Sequence, residues 1–329
     1  MVPVRNRKLL LLTGTITGSF YVSLILINFH FTYKHSILTM NTVTLDANNE
    51  TRISICMMVP VTSRNIPYNR SLGIGLLNQP LVRAFLPSIF STAESKYNYD
   101  LYIGYDYGDV WYDNVSNWQQ LLIFIEHLRR NNSQSNNLHI RVKPLILYAT
   151  EQRLTAMYNT IAAAGYRDRC DYFYPANDDL QIRSYGWTTA AIQSLNSCHV
   201  AKDFGAVTFK DITLCRYPTF NLVHRTHLDL HEGVYYPVPS HGAHQDLWIF
   251  GLYELWQCSF YLSEHQVANH VGIGLNTRYK YGNSNGLEKW IKRSRWTLFQ
   301  KLQSLPHLYN QSFINSSQID NNIRTEVPC

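Results

Sequence analysis

The sequence predicts an α/β protein with a mixed, mostly parallel central sheet flanked by helices and preceded by one transmembrane helix. Three observations lead to this prediction: apolar runs of strand length, helix-forming segments between them, and an uncharged N-terminal stretch. Repeated strand–helix units favour a parallel sheet with helices on both faces. With 329 residues, the chain can hold two average domains or one large domain.

Strands and helices alternate along the central part of the chain. The run at 53–60 is almost continuously apolar, as expected for a strand covered on both faces. Further strands are predicted at residues 100–105, 140–148 and 172–174. Helices are predicted at residues 80–95, with an interruption near Pro87, and at 118–130, 150–165 and 247–256. Ligands of open sheets bind beyond the carboxyl ends of the strands, so the chemistry is expected just after Pro60, Tyr105 and Tyr174.

Residues 9–31 are predicted to form a transmembrane signal anchor. Residues 9–29 contain no charged side chain, and about 20 residues is the length that a helix needs to cross a bilayer. Arg5, Arg7 and Lys8 precede this stretch, so residues 1–8 are expected to be a cytoplasmic tail and the rest of the chain lumenal. The alternative is a cleaved signal peptide, although no small-x-small cleavage site is evident after the apolar stretch.

The lumenal part divides by composition. Residues 32–51 are polar and are predicted to form a stem, residues 52–305 a folded domain, and residues 306–329 a loosely ordered tail rich in Asn, Ser and Gln. N-glycosylation acceptors of the form N-x-S/T all follow the apolar stretch, which agrees with a lumenal location. They begin at Asn49, Asn69, Asn114, Asn131, Asn310 and Asn315.

Composition and cysteine spacing exclude two classes of protein. Although the formal charge is +6, no dense Lys/Arg patch with interleaved aromatic residues occurs, so nucleic-acid binding is not expected. The six cysteines lie far apart without CxxC or Cys/His finger spacing, which argues against a structural zinc site. In an oxidising compartment some of them would pair, in a connectivity that the sequence does not give. Cys56 lies in an apolar run and is compatible with a buried free thiol.

Polar side chains follow the first two predicted strands. Thr62 and Arg64 come after Pro60, and a hydroxyl and a guanidinium there suit a nucleotide diphosphate, whose oxygens arginine binds bidentately. An ordinary polar turn is the alternative. Asp106 follows the second predicted strand, where its carboxylate can hold ribose or sugar hydroxyls.

The fourth strand ends in the cluster Asn177, Asp178 and Asp179. Two adjacent carboxylates repel each other unless a cation lies between them. Mg²⁺ and Mn²⁺ prefer one or two carboxylates together with substrate phosphates, so the sequence predicts a divalent metal, Mn²⁺ or Mg²⁺, at this position. The alternative is that Asp178 or Asp179 caps the next segment.

These features together resemble the GT-A-fold glycosyltransferases, and in particular a broad set of uncharacterised eukaryotic type II membrane glycosyltransferase-like proteins. The resemblance spans about residues 53–282. It rests on the order of four short motifs: the strand end from Tyr174 to Asp179, the pair Gly186-Trp187, the stretch 205–208, and the segment 246–249. Asn177 stands where the family's DxD motif usually has its first Asp.

The resemblance implies a fold of the nucleotide-diphospho-sugar transferase type. It implies transfer of a sugar from a nucleotide-sugar donor to a lumenal glycan or glycoprotein acceptor, in the Golgi membrane or the endoplasmic reticulum. Asp179 would bind a metal that bridges the donor diphosphate, and a later histidine would complete the coordination: His270, with His265 as second candidate. Arg278 would reach the diphosphate.

Asp246 is the candidate catalytic base. In inverting members of the family, an acidic residue at this point accepts the proton of the acceptor hydroxyl. The alternative is an N-cap for the helix predicted at 247–256. His241 and His244 lie nearby and suggest a metal hydrolase, but the H-E-x-x-H spacing is absent.

Two alternative functions remain. Because Asn177 carries no charge, the chain can be a non-catalytic lumenal glycan-binding protein or a degenerate transferase. A glycoside hydrolase using Asp179 and Asp246 is less well supported, since the order of strands favours a donor-binding sheet.

Overall fold

The structure is a computed structural model that describes residues 52–66, 75–131, 137–148, 150–151, 153–236, 244–269, 278–279, 286–305, 318–319, 323 and 326–329. Within these ranges, no helix is both long and apolar enough to cross a membrane. The anchor predicted at 9–31 and the stem predicted at 32–51 lie outside the described residues.

The main sheet has five strands in the order β3-β2-β1-β4-β7. They are β1 (Ser54–Val61), β2 (Asn98–Asp106), β3 (His139–Leu147), β4 (Tyr172–Pro175) and β7 (Val223–His224). The first four are parallel to one another, and β7 pairs antiparallel with β4. The mostly parallel sheet and the four strands expected from the sequence are therefore confirmed.

A second, three-stranded sheet has the order β5-β8-β6. Its strands are β5 (Gln181–Ile182), β6 (Ala206–Asp211) and β8 (Ser259–Ala268). β6 runs parallel to β8, and β5 runs antiparallel to it. An isolated antiparallel bridge between Val207 and Leu222 joins β6 to the segment that leads into β7, which links the two sheets.

The helices are α1 (Leu86–Thr92), α2 (Val115–Asn131), α3 (Leu154–Arg167), α4 (Trp187–Asn196), α5 (Thr226–Leu230), α6 (Gln245–Glu254) and α7 (Leu287–Ser304). A π-helical turn, Leu81–Phe85, leads directly into α1, so the irregularity expected near Pro87 falls just before it. The predicted end of the third helix at Gly165 is wrong. α3 continues to Arg167, and Gly165 lies against the buried thiol of Cys56, which leaves no room for a Cβ atom.

β1 lies at the centre of the core. Its side chains alternate between two hydrophobic layers: Ile55, Met57 and Val59 face one layer, and Cys56 and Met58 face the other. This burial on both faces explains why the run at 53–60 contains so few polar residues.

Two disulfides lie in the described structure, Cys198–Cys258 and Cys215–Cys329. Cys56 is a buried free thiol, as the sequence suggested, and so is Cys170. Residues 326–329 are the end of the segment for which the sequence predicts a loosely ordered tail. Val327 is only 5% exposed and its amide donates to the carbonyl of Arg216 at 3.0 Å, because the disulfide holds this segment against the domain.

The two edges of the main sheet differ in length. β7 contributes only two residues at one edge. At the other edge, β3 carries Arg141, Lys143 and Pro144. The Arg141 guanidinium binds the buried carboxylate of Asp100 on β2, with an Nε–Oδ1 distance of 2.6 Å.

Candidate active site

The carboxyl ends of β1, β2 and β4 meet at one edge of the sheet. The parallel register pairs Val61 with Tyr105 and Met58 with Pro175. The polar segments after these strands are therefore neighbours in space, as the sequence predicted.

Asp109 joins the loops that follow β1 and β2. Its carboxylate accepts hydrogen bonds from the Thr62 hydroxyl at 2.9 Å and from the Ser63 amide and hydroxyl at 2.8 and 2.6 Å. It also accepts from the amides of Trp111 and Tyr112. The sequence did not identify Asp109 as the residue that fixes these loops. Thr62 lies at the expected edge, and its contact with a donor stays a prediction.

A buried ion pair lies directly beneath this edge. Arg278 donates two hydrogen bonds to the carboxylate of Asp178, at 2.7 and 2.5 Å, and a third to the carbonyl of Thr62 at 3.2 Å. Asp178 is 0% exposed and Arg278 is 4% exposed. Burial acts to lower the pKa of Arg278, but the adjacent carboxylate outweighs it and holds that pKa above its ordinary value. Asp178 and Arg278 thus bind each other, and a direct role for either in donor binding stays a prediction.

The remaining donor candidates also have partners within the protein. The carbonyl of Pro60 accepts a hydrogen bond from the Tyr279 hydroxyl at 2.9 Å. Arg64 donates to the carbonyl of Arg278. Asp106 accepts from the hydroxyl of Thr150. Residues 278–279 are therefore fastened beneath the end of β1, close to the predicted donor site.

Asp179 follows the end of β4 by four residues, in the turn before β5, and is 3% exposed. One oxygen is 3.8 Å from Arg278. The neighbouring Asn177 accepts a hydrogen bond from the Tyr158 hydroxyl at 3.0 Å and donates one to Asn269 at 3.4 Å. Asn269 immediately precedes His270, which lies outside the described residues.

The described residues hold no group of three or more His, Cys, Asp or Glu side chains arranged to bind a metal. One carboxylate at a strand end is nevertheless compatible with Mg²⁺ or Mn²⁺, which takes many of its ligands from water and substrate phosphates. His265, the second candidate ligand, packs its ring against Phe209 with the centroids 6.4 Å apart.

Asp246 lies in the first turn of α6 and is half-buried. The helix N-cap is His244, so the alternative reading of Asp246 as the N-cap is wrong. Its carboxylate accepts a hydrogen bond from the Tyr236 hydroxyl at 3.1 Å. Burial raises the pKa of Asp246 to about 7, and the Tyr236 hydroxyl, the Phe220 backbone and the Asn221 side chain oppose the rise. A carboxylate with a near-neutral pKa is well suited to general base catalysis.

Two tyrosines connect Asp246 to the acidic motif at the end of β4. The hydroxyl of Tyr236 binds Asp246, and its ring packs edge-on against Tyr158 with the centroids 5.9 Å apart. The hydroxyl of Tyr158 in turn binds Asn177. A chain of side-chain contacts therefore links the candidate base to the segment that follows β4.

No protein-family model matches the chain, and neither does any curated protein. Among solved structures, the chain is similar to TarS from S. aureus. For TarS 1-349 in complex with UDP-GlcNAc, the identity is 14% and the TM-score 0.45, over 82% of this chain and 70% of TarS 1-349. For TarS 1-349 in complex with UDP, the identity is 14% and the TM-score 0.43, over 82% of this chain and 70% of TarS 1-349. For another TarS structure, the identity is 13% and the TM-score 0.43, over 81% of this chain and 41% of the TarS chain. Similarity at this level establishes neither a family nor a function.

Proposed function

We propose that the chain is a glycosyltransferase that moves a sugar from a nucleotide-sugar donor to a lumenal glycan or glycoprotein. The observation that carries this proposal is the connection just described: a carboxylate with a pKa of about 7, Asp246, joined through Tyr236 and Tyr158 to the acidic end of a parallel strand. A base and a diphosphate-binding edge are the two parts that sugar transfer from such a donor needs.

The donor is proposed to lie along the carboxyl ends of β2, β1 and β4. Asp106 contacts ribose or sugar hydroxyls, and Pro60, Thr62 and Arg64 line the diphosphate. Asp178 and Arg278 belong to the same donor site, where their ion pair fixes the loop that carries Asp179. The positive charge of Arg64 at this edge favours binding of the diphosphate.

Asp179 is proposed to hold a divalent cation, Mn²⁺ or Mg²⁺, together with His270. Such a cation supplies positive charge where the departing nucleotide diphosphate becomes negative. The hydrogen bond between Asn177 and Asn269 supports this assignment, because it brings the residue before His270 to the acidic motif.

Asp246 is proposed to take the proton from the acceptor hydroxyl as that oxygen attacks the anomeric carbon of the donor sugar. The bond between the anomeric carbon and the diphosphate breaks, and the diphosphate keeps the bonding electrons. Tyr236 orients the Asp246 carboxylate through its hydrogen bond.

The two disulfides support the proposal of a lumenal location. The two disulfides are the kind of bond that persists in the secretory pathway and is rare in the cytosol. We therefore propose that residues 9–31 anchor the protein as a single-pass type II protein in the Golgi membrane or the endoplasmic reticulum, with residues 1–8 in the cytoplasm.

A non-catalytic glycan-binding protein is the second candidate. The specific observation that favours it is that Asn177 carries no charge and Asp178 is neutralised by Arg278, so Asp179 has the remaining charge of the motif. A cation held by one carboxylate binds weakly without a nucleotide.

The test is nucleotide binding followed by turnover. We expect the purified full chain to bind UDP or GDP more tightly with Mn²⁺, and to hydrolyse at least one member of a panel of nucleotide-sugars. Asp179→Asn should remove the effect of Mn²⁺ on nucleotide binding. Asp246→Asn should keep nucleotide binding and lose turnover, whereas the exposed Asp229→Asn serves as the matched control.

The pH profile provides a second arm of this test. Turnover should rise with pH through about 7 as Asp246 loses its proton. Binding of glycans without any nucleotide binding or hydrolysis would overturn the enzyme and support the glycan-binding alternative.

A further inference from the structure

We infer that Asp211 is a positioning residue for Asp246, acting through the segment 219–221. This inference rests on the proposed function, since it assigns a support to the proposed base. Asp211 ends β6 and is 1% exposed, although aspartate is rarely buried so completely without a specific partner.

The partners of Asp211 are all in the loop that follows it. One carboxylate oxygen accepts from the amides of Thr213 and Leu214, at 2.9 and 3.2 Å. The other accepts from the hydroxyl of Thr219 at 3.0 Å. The buried carboxylate therefore closes the loop from 212 to 219 and fixes where the chain leaves it.

Thr219 is held from a second side. Its carbonyl accepts a hydrogen bond from the hydroxyl of Thr208 on β6 at 2.6 Å. Leu222, three residues after Thr219, is joined to Val207 by two backbone hydrogen bonds of 2.9 and 2.7 Å. Segment 219–221 is thus clamped at both ends to β6, which is the strand that carries Asp211.

This clamped segment supplies contacts to Asp246. Phe220 has a φ of 54°, in the left-handed region, and its backbone acts to lower the pKa of the Asp246 carboxylate. A phenylalanine adopts this conformation only where its surroundings impose it. Asn221 donates from Nδ2 to the backbone carbonyl of Asp246 at 2.9 Å. Asn221, two residues after Thr219, therefore fixes the backbone of the proposed base, and the preceding Phe220 backbone favours its charged form.

Asp211 also acts on Asp246 through its charge. Among the described residues, the titratable groups that face Asp246 are Asp211, Tyr174, Tyr235 and Tyr236. The negative charge of Asp211 raises the pKa of Asp246, and the Phe220 backbone lowers it. The positional and electrostatic effects thus have opposite signs, which allows an experiment to separate them.

The experiment measures the pKa of Asp246 by NMR in full-length protein labelled with ¹³Cγ-aspartate, with Asp246→Asn identifying the resonance. Asp211→Asn removes the charge and keeps an oxygen for the Thr213 and Leu214 amides, so the Asp246 pKa should fall towards its ordinary value. Thr219→Val keeps the side-chain shape and removes the hydroxyl link to Asp211, so the Phe220 backbone should move away from Asp246 and the Asp246 pKa should rise. Matched controls at exposed positions, Asp229→Asn and Thr160→Val, should leave it unchanged.

A second readout is turnover of the nucleotide-sugar identified above. Thr219→Val should lower kcat by about 10²-fold, as expected for a misplaced catalytic group, with nucleotide affinity unchanged. An Asp246 pKa that is the same in wild type, Asp211→Asn and Thr219→Val overturns the inference. If Asp211→Asn does not fold, the Asp246 pKa measured in Thr219→Val tests the inference by itself. Because the NMR titration needs no substrate, it stands even if the wild-type protein turns over no donor, which would overturn only the proposed function.

Discussion

The Arg278 guanidinium binds the Asp178 carboxylate through two hydrogen bonds, although 100 residues separate them in the chain. The pair lies beneath the ends of β1 and β4 and connects residues 278–279 to the acidic motif. Because both side chains are buried, removal of either one leaves the charge of the other without a partner and without solvent.

Breaking this pair should strongly destabilise the protein. Arg278→Met leaves the buried Asp178 carboxylate without a partner, and we expect the free energy of unfolding to fall by about 3–5 kcal/mol. Urea denaturation followed by tryptophan fluorescence measures the change. Asp178→Leu combined with Arg278→Met should recover much of the loss, because no uncompensated charge remains.

The matched control is a surface pair. Glu288→Gln breaks the exposed ion pair with Lys292 on α7, and it should change the free energy of unfolding by at most about 1 kcal/mol. Equal losses for Arg278→Met and Glu288→Gln would contradict the buried pair as a structural support.

The disulfide Cys198–Cys258 should contribute to stability through the 60-residue separation that it closes. In the chain-entropy account, replacing both cysteines with serine lowers the free energy of unfolding by about 4 kcal/mol. Urea denaturation under non-reducing conditions, which keep the wild-type disulfide intact, measures this loss. Peptide mapping without reduction should first show Cys198 linked to Cys258 and Cys215 linked to Cys329. A link between Cys56 and either of these pairs would contradict the structure.

Asp246 should make stability depend on pH. Its pKa is higher in the folded protein, about 7, than in the unfolded chain, so the folded state binds more protons between these values. Stability from this group is therefore present at low pH and is lost as pH rises to 7, by up to about 4 kcal/mol. Asp246→Asn should remove this dependence and be more stable than wild type at pH 8.

Thermal unfolding of both proteins at pH 5 and pH 8 measures the effect. Asp229→Asn, at an exposed position, should follow wild type at both pH values. If the difference between wild type and Asp246→Asn were the same at both pH values, Asp246 would not titrate in this range.

Gly205 should not tolerate alanine. Its φ is +127°, and a Cβ atom there would lie 2.2 Å from the carbonyl oxygen of Cys258, a backbone atom that cannot move aside. We expect Gly205→Ala to lower the free energy of unfolding by about 3 kcal/mol or more. Gly233→Ala is the matched control, since φ is +82° and no atom lies within 4 Å of its Cβ position. It should show only the smaller effect of backbone strain, and losses as large as those of Gly205→Ala would refute the steric argument.

The first half of the fold was predictable because its signals are local. β1, β2 and β4 are short apolar runs, and each is followed by a polar segment whose place at the sheet edge follows from the parallel order. The second sheet was harder to find. β8 is half-exposed for most of its length and pairs with β6 across about 50 residues of chain. Helix α7 is rich in charged residues, but its buried Ile291, Leu298 and Leu302 follow the helical spacing, and this available signal was missed.

The site was predictable residue by residue but not as a set of contacts. The sequence identified Asp178, Asp179 and Asp246 as acidic residues at element ends. It did not show that Arg278 would pair with Asp178, because that contact depends on the folded path of a distant segment. Asp211 was missed although it ends an apolar strand as Asp106 does, and this shared position was the available signal.

The two edge strands of the main sheet affect the tendency of this protein to aggregate at high concentration. An exposed strand offers unpaired amides and carbonyls to which another chain can add, and natural proteins block such addition with charge, proline or very short edge strands. β3 has two cations and Pro144, which lacks an amide hydrogen, while β7 ends the opposite side after two residues. Growth of the sheet by recruitment of further strands is thus disfavoured on both sides, which protects the protein against aggregation.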